Sequence, residues 1–357
     1  VAKVAFLARS LELRGTGVAT FDYAEGCQSD LGHEAVVLFD AEAEQNPAAL
    51  AHFQSRFKTI PYEGLADADR ALERERADLV HVMKGDARDR WASRAAPMAV
   101  HQVFPAAARD AHGAAYAYVS QWLAQVCAGP RAPFVPHVVA LAEASGDLRE
   151  ALNIPADALV LGCHGGAASF DLAPARAALA RALDARSDLY FVGLNLTPFL
   201  DHPRARFLPG TAQPREKRQF IDTCDAMLHA RRRGETFGLA VAEFSAANRP
   251  VLTYAGARER AHLAMLGDAA MTYRGERDLF ALLTGLDRRE LSQGEWDRYG
   301  AAYARGPVMR RFEEAFVRNP LDPATIRTFA AAPDEWSPAG LARYGRRAWR
   351  RWKGKGG

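Results

Sequence analysis

Apolar positions along this chain come in short runs rich in valine, leucine and aromatic residues, set between longer stretches whose apolar residues recur at helical spacing. The runs at 1–8, 34–40, 77–84, 98–104 and 114–120 predict strands, and the stretch 18–32 predicts a helix between the first two. Residues 129–139, "GPRAPFVPHVV", hold three prolines and predict a rigid connector, because proline fixes φ and donates no hydrogen bond. A second series opens near 152–166 and continues through 187–195, 205–210, 224–230, 250–256 and 269–273, with helices predicted over 173–185 and 215–224. Residues 278–316 read as helical, and "RNPLDPATI" as a turn-rich crossing segment. Strands punctuated by helices imply largely parallel sheets covered on both faces, an α/β fold. The expected division is a first parallel-sheet domain over 1–152, a second of similar design over 153–318, and a crossing segment with a tail over 319–357.

Length agrees with that division, since 357 residues are comfortable for two cores. Nothing approaches the roughly 18 unbroken apolar residues of a membrane span, and the first residues look like a strand rather than a secretory signal. The four cysteines, Cys27, Cys127, Cys163 and Cys224, lack metal or disulfide-framework spacing, so a reducing cytoplasm is the simple expectation. The net charge of +3 conceals an asymmetry: the last 17 residues carry seven Lys and Arg and no acid, so the rest of the chain is net negative. Such a body lacks the basic face that nucleic acid requires. In the tail, Tyr344, Trp349 and Trp352 interleave with Arg346, Arg347, Arg350 and Arg351, a pattern suited to an anionic membrane surface. The alternative is a solvated terminus.

In open parallel sheets ligands lie beyond the carboxyl ends of the strands. The residues following the predicted strands are therefore the candidates: "RSLELRGTG", Lys84-Gly85 and His101 in the first series; "GCHGGAAS", "NLTPF", "PGTAQ", "HARRRGETFG" and "AGARE" in the second. Two such sheets facing each other leave a cleft for a two-part ligand. The most informative of these segments continues as "GETFGLAVAEFSAANRPVL". Gly234 breaks what precedes it. Leu239, Ala240, Ala242 and Phe244 then mark a helix with a large buried face, and Asn248-Arg249-Pro250 ends it. Two glutamates, Glu235 and Glu243, bracket its start.

This block, residues 234–252, resembles the E-x7-E signature of retaining nucleotide-sugar glycosyltransferases of the GT-B fold. "CDAMLHAR", "AYVSQWL", "FVPHVV" and the early "RGTGVATFDYAEGCQSDLGHEAVVLFD" resemble, in the same order, further segments of that family. The resemblance implies two facing Rossmann-like, doubly wound parallel-sheet domains with an interdomain cleft. It also implies that Glu235 accepts from the hydroxyls of the transferred sugar and that Glu243 takes the ribose hydroxyls. On a continuous helix Glu243 stands about 12 Å beyond Glu235. Thr236, Phe237, Gly238 and Leu239 would bind the donor around the helix start, where free N–H groups suit hydroxyls and phosphates. Gly15 and Gly17 would form the first-domain loop near the diphosphate, His101 would stand near the transferred sugar, His229 would face the diphosphate and Thr211 would lie near the base.

Many members carry an arginine and a lysine in the first loop of the second domain. Here that loop offers Gly165 and Gly166, which can present N–H groups, with His164 or Ser169 as further donors. Positive charge would come from Arg231, with Arg232 or Arg233 as lesser candidates. Lys84 is a candidate contact on the acceptor side. An acid near a helix start also arises from plain dipole complementarity, and Glu243 could pair with an arginine. Gly15-x-Gly17-x-x-Thr20 with Asp40 imitates a dinucleotide fingerprint, but six residues, Arg9 to Arg14, separate the strand from the first glycine. The expected activity is metal-independent transfer of a sugar, with retention, from a nucleotide diphosphate donor to a hydroxyl on a glycan or lipid-linked glycan. The sugar nucleotide is a co-substrate and no cofactor is expected. A cytoplasmic location, peripheral at the inner membrane face, would follow. The alternatives are a sugar-nucleotide epimerase or a phosphorylase on the same fold, a nicotinamide-dependent oxidoreductase, and a non-catalytic sugar binder.

Overall fold

A computed structural model describes residues 1–85, 91–320 and 322–328. The basic aromatic tail, and with it the expected membrane contact, lies outside the described residues. Two six-stranded sheets organise the chain. The first contains β1 (Lys3–Ala8), β2 (Glu34–Asp40), β3 (Lys58–Tyr62), β4 (Leu79–Lys84), β5 (Met98–Gln102) and β6 (Ala115–Tyr118), in the order β3-β2-β1-β4-β5-β6. The second contains β7 (Leu159–His164), β8 (Leu189–Leu194), β9 (Ala205–Leu208) and β10 (Ala226–His229). Beyond a short pair, β11 (Gly234–Glu235) with β13 (Glu259–Arg260), come β12 (Val251–Tyr254) and β14 (Ala270–Tyr273). Its order, β14-β12-β10-β7-β8-β9, repeats the topology of the first sheet. The paired strands in both run parallel. Their near-continuous apolar runs are what burial on both faces demands; Val4 to Leu7 of β1 are buried without alternation.

Helices α1 (Gly15–Ser29), α2 (Pro47–Arg56), α3 (Gly64–Glu75) and α4 (Gln121–Ala128) cover the first sheet. Helices α5 (Ala173–Ala185), α6 (Pro214–Thr223) and α7 (Leu239–Ala246) belong to the second. Strand β3 is absent from the sequence reading because Pro61 interrupts its pattern. The strand lies at the sheet edge, where a missing donor is tolerated. The proline-rich 129–139 connector forms no strand or helix, as expected, yet buries Val135 and Val138 against the first sheet.

The carboxyl-terminal helical region differs from expectation. It breaks into helices at Glu276–Gly285, Arg288–Gln293, Gly300–Tyr303 and Arg305–Phe312, followed by a π-helical turn at Glu313–Arg318. The last two return to the first sheet. Val308, Met309, Phe312 and Phe316 pack with Val4, Phe6, Tyr23 and Cys27, so the end of the expected second domain completes the core of the first lobe. Gly26 makes room for this on α1: a Cβ there would lie 2.6 Å from the Met309 thioether. No helix of the described residues is long and apolar enough to cross a membrane.

Candidate functional site

Strand order reverses between β1 and β4 in the first sheet and between β7 and β10 in the second. A crevice opens beyond the strand ends at such points. The loops after β1, β7 and β10 meet there and enclose a cavity of about 360 Å³, lined from the first lobe by Leu13, Arg14, Gly15, Val103, Phe104 and His137. Its opposite wall is the second lobe, where both signature glutamates line the cavity.

Glu235 is positioned by backbone geometry. Gly234 adopts φ +79° and lies so close to Glu259 that a Cβ would meet its carbonyl oxygen at 2.0 Å; only glycine permits this parallel pairing of β11 with β13. The carboxylate lies 2.8 Å from Arg231 Nη1 and 3.3 Å from His229 Nε2. Burial alone would raise its pKa, but hydrogen bonding and charge from His229 and Arg231 prevail and set it at about 2. It is a permanent anion at neutral pH. His229 Nδ1 in turn contacts Thr253 Oγ1 at 2.8 Å, and His262 Nε2 approaches the same hydroxyl at 3.1 Å. The Thr253 hydroxyl thus fixes both rings beneath Glu235.

Gly238 then turns the chain into α7 at φ +88°, and no side chain caps the helix. Leu239 and Ala240, whose N–H groups belong to the unsatisfied first turn, line the cavity. Glu243 follows one turn later. Because the helix begins only at Leu239, the helical span to Glu243 is about 6 Å at 1.5 Å per residue, half the expected rod. Its side chain is 2% exposed and paired with Lys217 from α6. His164 Nε2 stands 2.9 Å from the other carboxylate oxygen, without hydrogen-bond alignment. Burial again pushes the Glu243 pKa up, and Lys217 and His164 overcome it, giving about 2.

The remaining expected residues separate clearly. Gly15, Gly165, Gly166, Thr211, His229, Arg231, Thr236, Phe237, Gly238 and Leu239 all line the cavity. Gly17 does not; its role is steric, since a Cβ there would meet the Glu12 carbonyl at 2.1 Å as the loop closes onto α1. Of the three consecutive arginines only Arg231 faces the cleft. The Arg232 backbone N–H donates to Asp171, while Arg233 pairs with Glu259 at 2.6 Å and lies over the Phe104 ring. The Ser169 hydroxyl accepts from Gly166 N–H at 2.9 Å, so that N–H is committed to the turn.

Two further expectations need correction. His101 is fully buried in the first-lobe core, its Nε2 2.8 Å from the Val135 carbonyl, and burial lowers its pKa to about 4. It does not line the cavity. The first-lobe histidine that does is His137, carried by the proline-rich connector and stacked edge-on against Phe237 at 5.2 Å. Lys84 is likewise buried, donating to the Trp91 carbonyl at 2.8 Å, and lies outside the cavity wall. The rival dinucleotide reading loses its acid, because Asp40 accepts from Glu42 N–H and is absent from the cavity.

The chemistry available to His137 follows from its neighbours. Tyr23 gives its hydroxyl proton to the Pro136 carbonyl at 2.8 Å, so His137 Nδ1, 3.3 Å away, must be the donor to the Tyr23 oxygen. Nε2 is then a lone-pair acceptor. Burial, with a contribution from His101, depresses the pKa to about 3, which makes this ring an acceptor for a hydroxyl rather than a proton carrier. Sequence reasoning missed His137, and it also missed Arg14 and Lys217, whose isolated charges resemble a solvated surface. The only available signals were the resemblance of "FVPHVV" and the position of Arg14 just before the glycine loop.

No family model and no curated protein sequence matches this chain. Solved structures do. HepE from Anabaena, solved with UDP and glucose, superposes with a TM-score of 0.59 at 14% identity, over 92% of this chain and 97% of that one. A glycosyltransferase from Rickettsia africae gives 0.57 at 11%, over 87% and 94%. A Listeria monocytogenes protein described as a UDP-N-acetylglucosamine 2-epimerase gives 0.59 at 12%, over 88% and 95%. The fold is GT-B.

Proposed function

We propose that this chain is a glycosyltransferase that moves a sugar from a nucleoside diphosphate donor to a hydroxyl acceptor with retention of anomeric configuration. The observation that carries the reading is the placement of Glu235 and Glu243 on the same cleft wall, on either side of the uncapped start of α7, each held ionised by its own cations. In this reading Glu235 accepts from hydroxyls of the transferred sugar, and Glu243 from the ribose. The first-turn N–H groups of α7 and Arg231 face the diphosphate. The bond between sugar C1 and the phosphate oxygen breaks, and the diphosphate leaves with the electron pair. The acceptor oxygen bonds to C1 on the same face, and its proton passes to the departing phosphate oxygen. His137 holds a sugar or acceptor hydroxyl through Nε2. No step is assigned to a metal. A glycan or lipid-linked glycan is the acceptor class this reading favours.

A second reading, sugar-nucleotide epimerisation, is favoured by the epimerase description of the Listeria structure. Incubation with UDP-, GDP-, ADP- and dTDP-hexoses separates the two. The transferase releases nucleoside diphosphate in proportion to added acceptor, and NMR shows a retained anomer in the product. An epimerase returns an isomerised donor with no acceptor present. Absence of both binding and turnover across the panel would remove the proposal.

A further inference from the structure

The loop after β7 supplies no arginine or lysine, yet the donor read into this cleft carries a diphosphate. Among the described residues three cations line the cavity, Arg14, Lys217 and Arg231, and each already has a carboxylate partner: Glu12, Glu243 and Glu235. What distinguishes the pairs is solvent. Side-chain exposure is 20% and 2% for Lys217 with Glu243, 30% and 19% for Arg231 with Glu235, and 60% and 25% for Arg14 with Glu12. Withdrawing a cation from a buried pair strands a carboxylate in a medium of low dielectric, whereas a solvated pair is weak and its carboxylate rehydrates. Arg14 is therefore the cation that changes partner with the smallest penalty.

Its location fits the role. Arg14 is the residue preceding α1, on the first lobe, but its side chain reaches the glycine turn of the second. A Cβ placed on Gly166 would lie 3.3 Å from Arg14 Cδ and 3.7 Å from Nη1. Glycine at 166 keeps that approach open, and the planar guanidinium suits phosphate oxygens in pairs. We propose that Arg14 is the principal diphosphate-binding cation of this site, and that the diphosphate takes it from Glu12. This rests on the nucleoside diphosphate donor proposed above.

The test is calorimetric titration of the full chain with UDP, GDP, ADP and dTDP, followed by the tightest of them and its parent nucleoside on variants. Arg14→Gln is expected to weaken the diphosphate by about 10- to 100-fold and leave the nucleoside unchanged. Arg14→Lys is expected to recover part of the loss, and Glu12→Gln to tighten the diphosphate several-fold. Since the Arg14 side chain is mostly exposed, Tm of the Gln variant is expected to match the parent. A folded Arg14→Gln variant that binds the diphosphate as tightly as the parent would overturn the assignment while leaving the transferase reading intact. Failure of the parent chain to bind any of the four diphosphates would overturn this inference and the donor reading together.

Discussion

The two walls of the cleft are built on the same sheet topology and prepared in opposite ways. On the second lobe each acid is already matched: Glu235 with Arg231 and His229, Glu243 with Lys217 and His164, both largely withdrawn from water. On the first lobe the charged pair, Arg14 with Glu12, is solvated, and the histidine, His137, is uncharged. Charges fixed in advance need no reorganisation when a ligand arrives, whereas solvated ones adjust to it. In the proposed transferase the second lobe would therefore set the geometry of the donor, and the first lobe would respond to it.

The sharpest way to break this contrast is at Glu235. In the proposed transferase, Glu235→Gln is expected to lower kcat by about 100- to 1,000-fold while changing donor affinity much less; single-turnover kinetics beside a binding titration separates the two. If affinity and turnover fall together, the fixed wall is only a binding surface. Next in size is Glu243. Replacing it with alanine strands the Lys217 ammonium, so urea denaturation is expected to show a loss of about 3 kcal/mol, and the donor Kd is expected to rise by about 10-fold. Converting both Glu243 and Lys217 to methionine is expected to restore stability but not donor binding. Recovery of both would make the pair purely structural.

The smallest effect probes the boundary between the walls. Asp22 on α1 lies half-buried and faces the Lys217–Glu243 pair. Burial raises its pKa from 3.8 to about 7, with Lys217 opposing and Glu243 assisting. A carboxyl raised on folding contributes stability that is fully present below the unfolded value and is lost as pH rises through the folded one. Asp22→Asn is thus expected to raise Tm by about 2–5 °C at pH 8 and by less at pH 5. An equal gain at both pH values would show that the lobe boundary is wetter than the packing implies.

Much of this arrangement was readable before the structure. The parallel strands announced themselves because burial on both faces forces continuous apolar runs, and the two glutamates because the segment that holds them resembles the E-x7-E signature, in order with the other matching segments. The rest depended on contacts that no window of sequence contains. His101 and His137 both sit in apolar surroundings, and only the packing of the connector decides which reaches the cleft. Lys84 ends a strand, as a site residue would, but the Trp91 carbonyl claims it. Lys217 looks like ordinary surface charge until α7 brings Glu243 to it, and Arg14 until the glycine turn of the opposite lobe is placed beside it. Pro61 concealed an edge strand, and the breaks in the carboxyl-terminal helices concealed where the chain turns back.

That return carries a consequence for synthesis. The amino-terminal half of the chain leaves the ribosome first, but the cover of the face formed by Phe6, Tyr23 and Cys27 stays incomplete until Val308, Met309, Phe312 and Phe316 have been made. The first core therefore cannot close fully before the last described helices exist. A nascent polypeptide stalled midway exposes an apolar aromatic surface, a natural target for chaperones, while the second sheet has all its strands by Tyr273 and can assemble in the meantime.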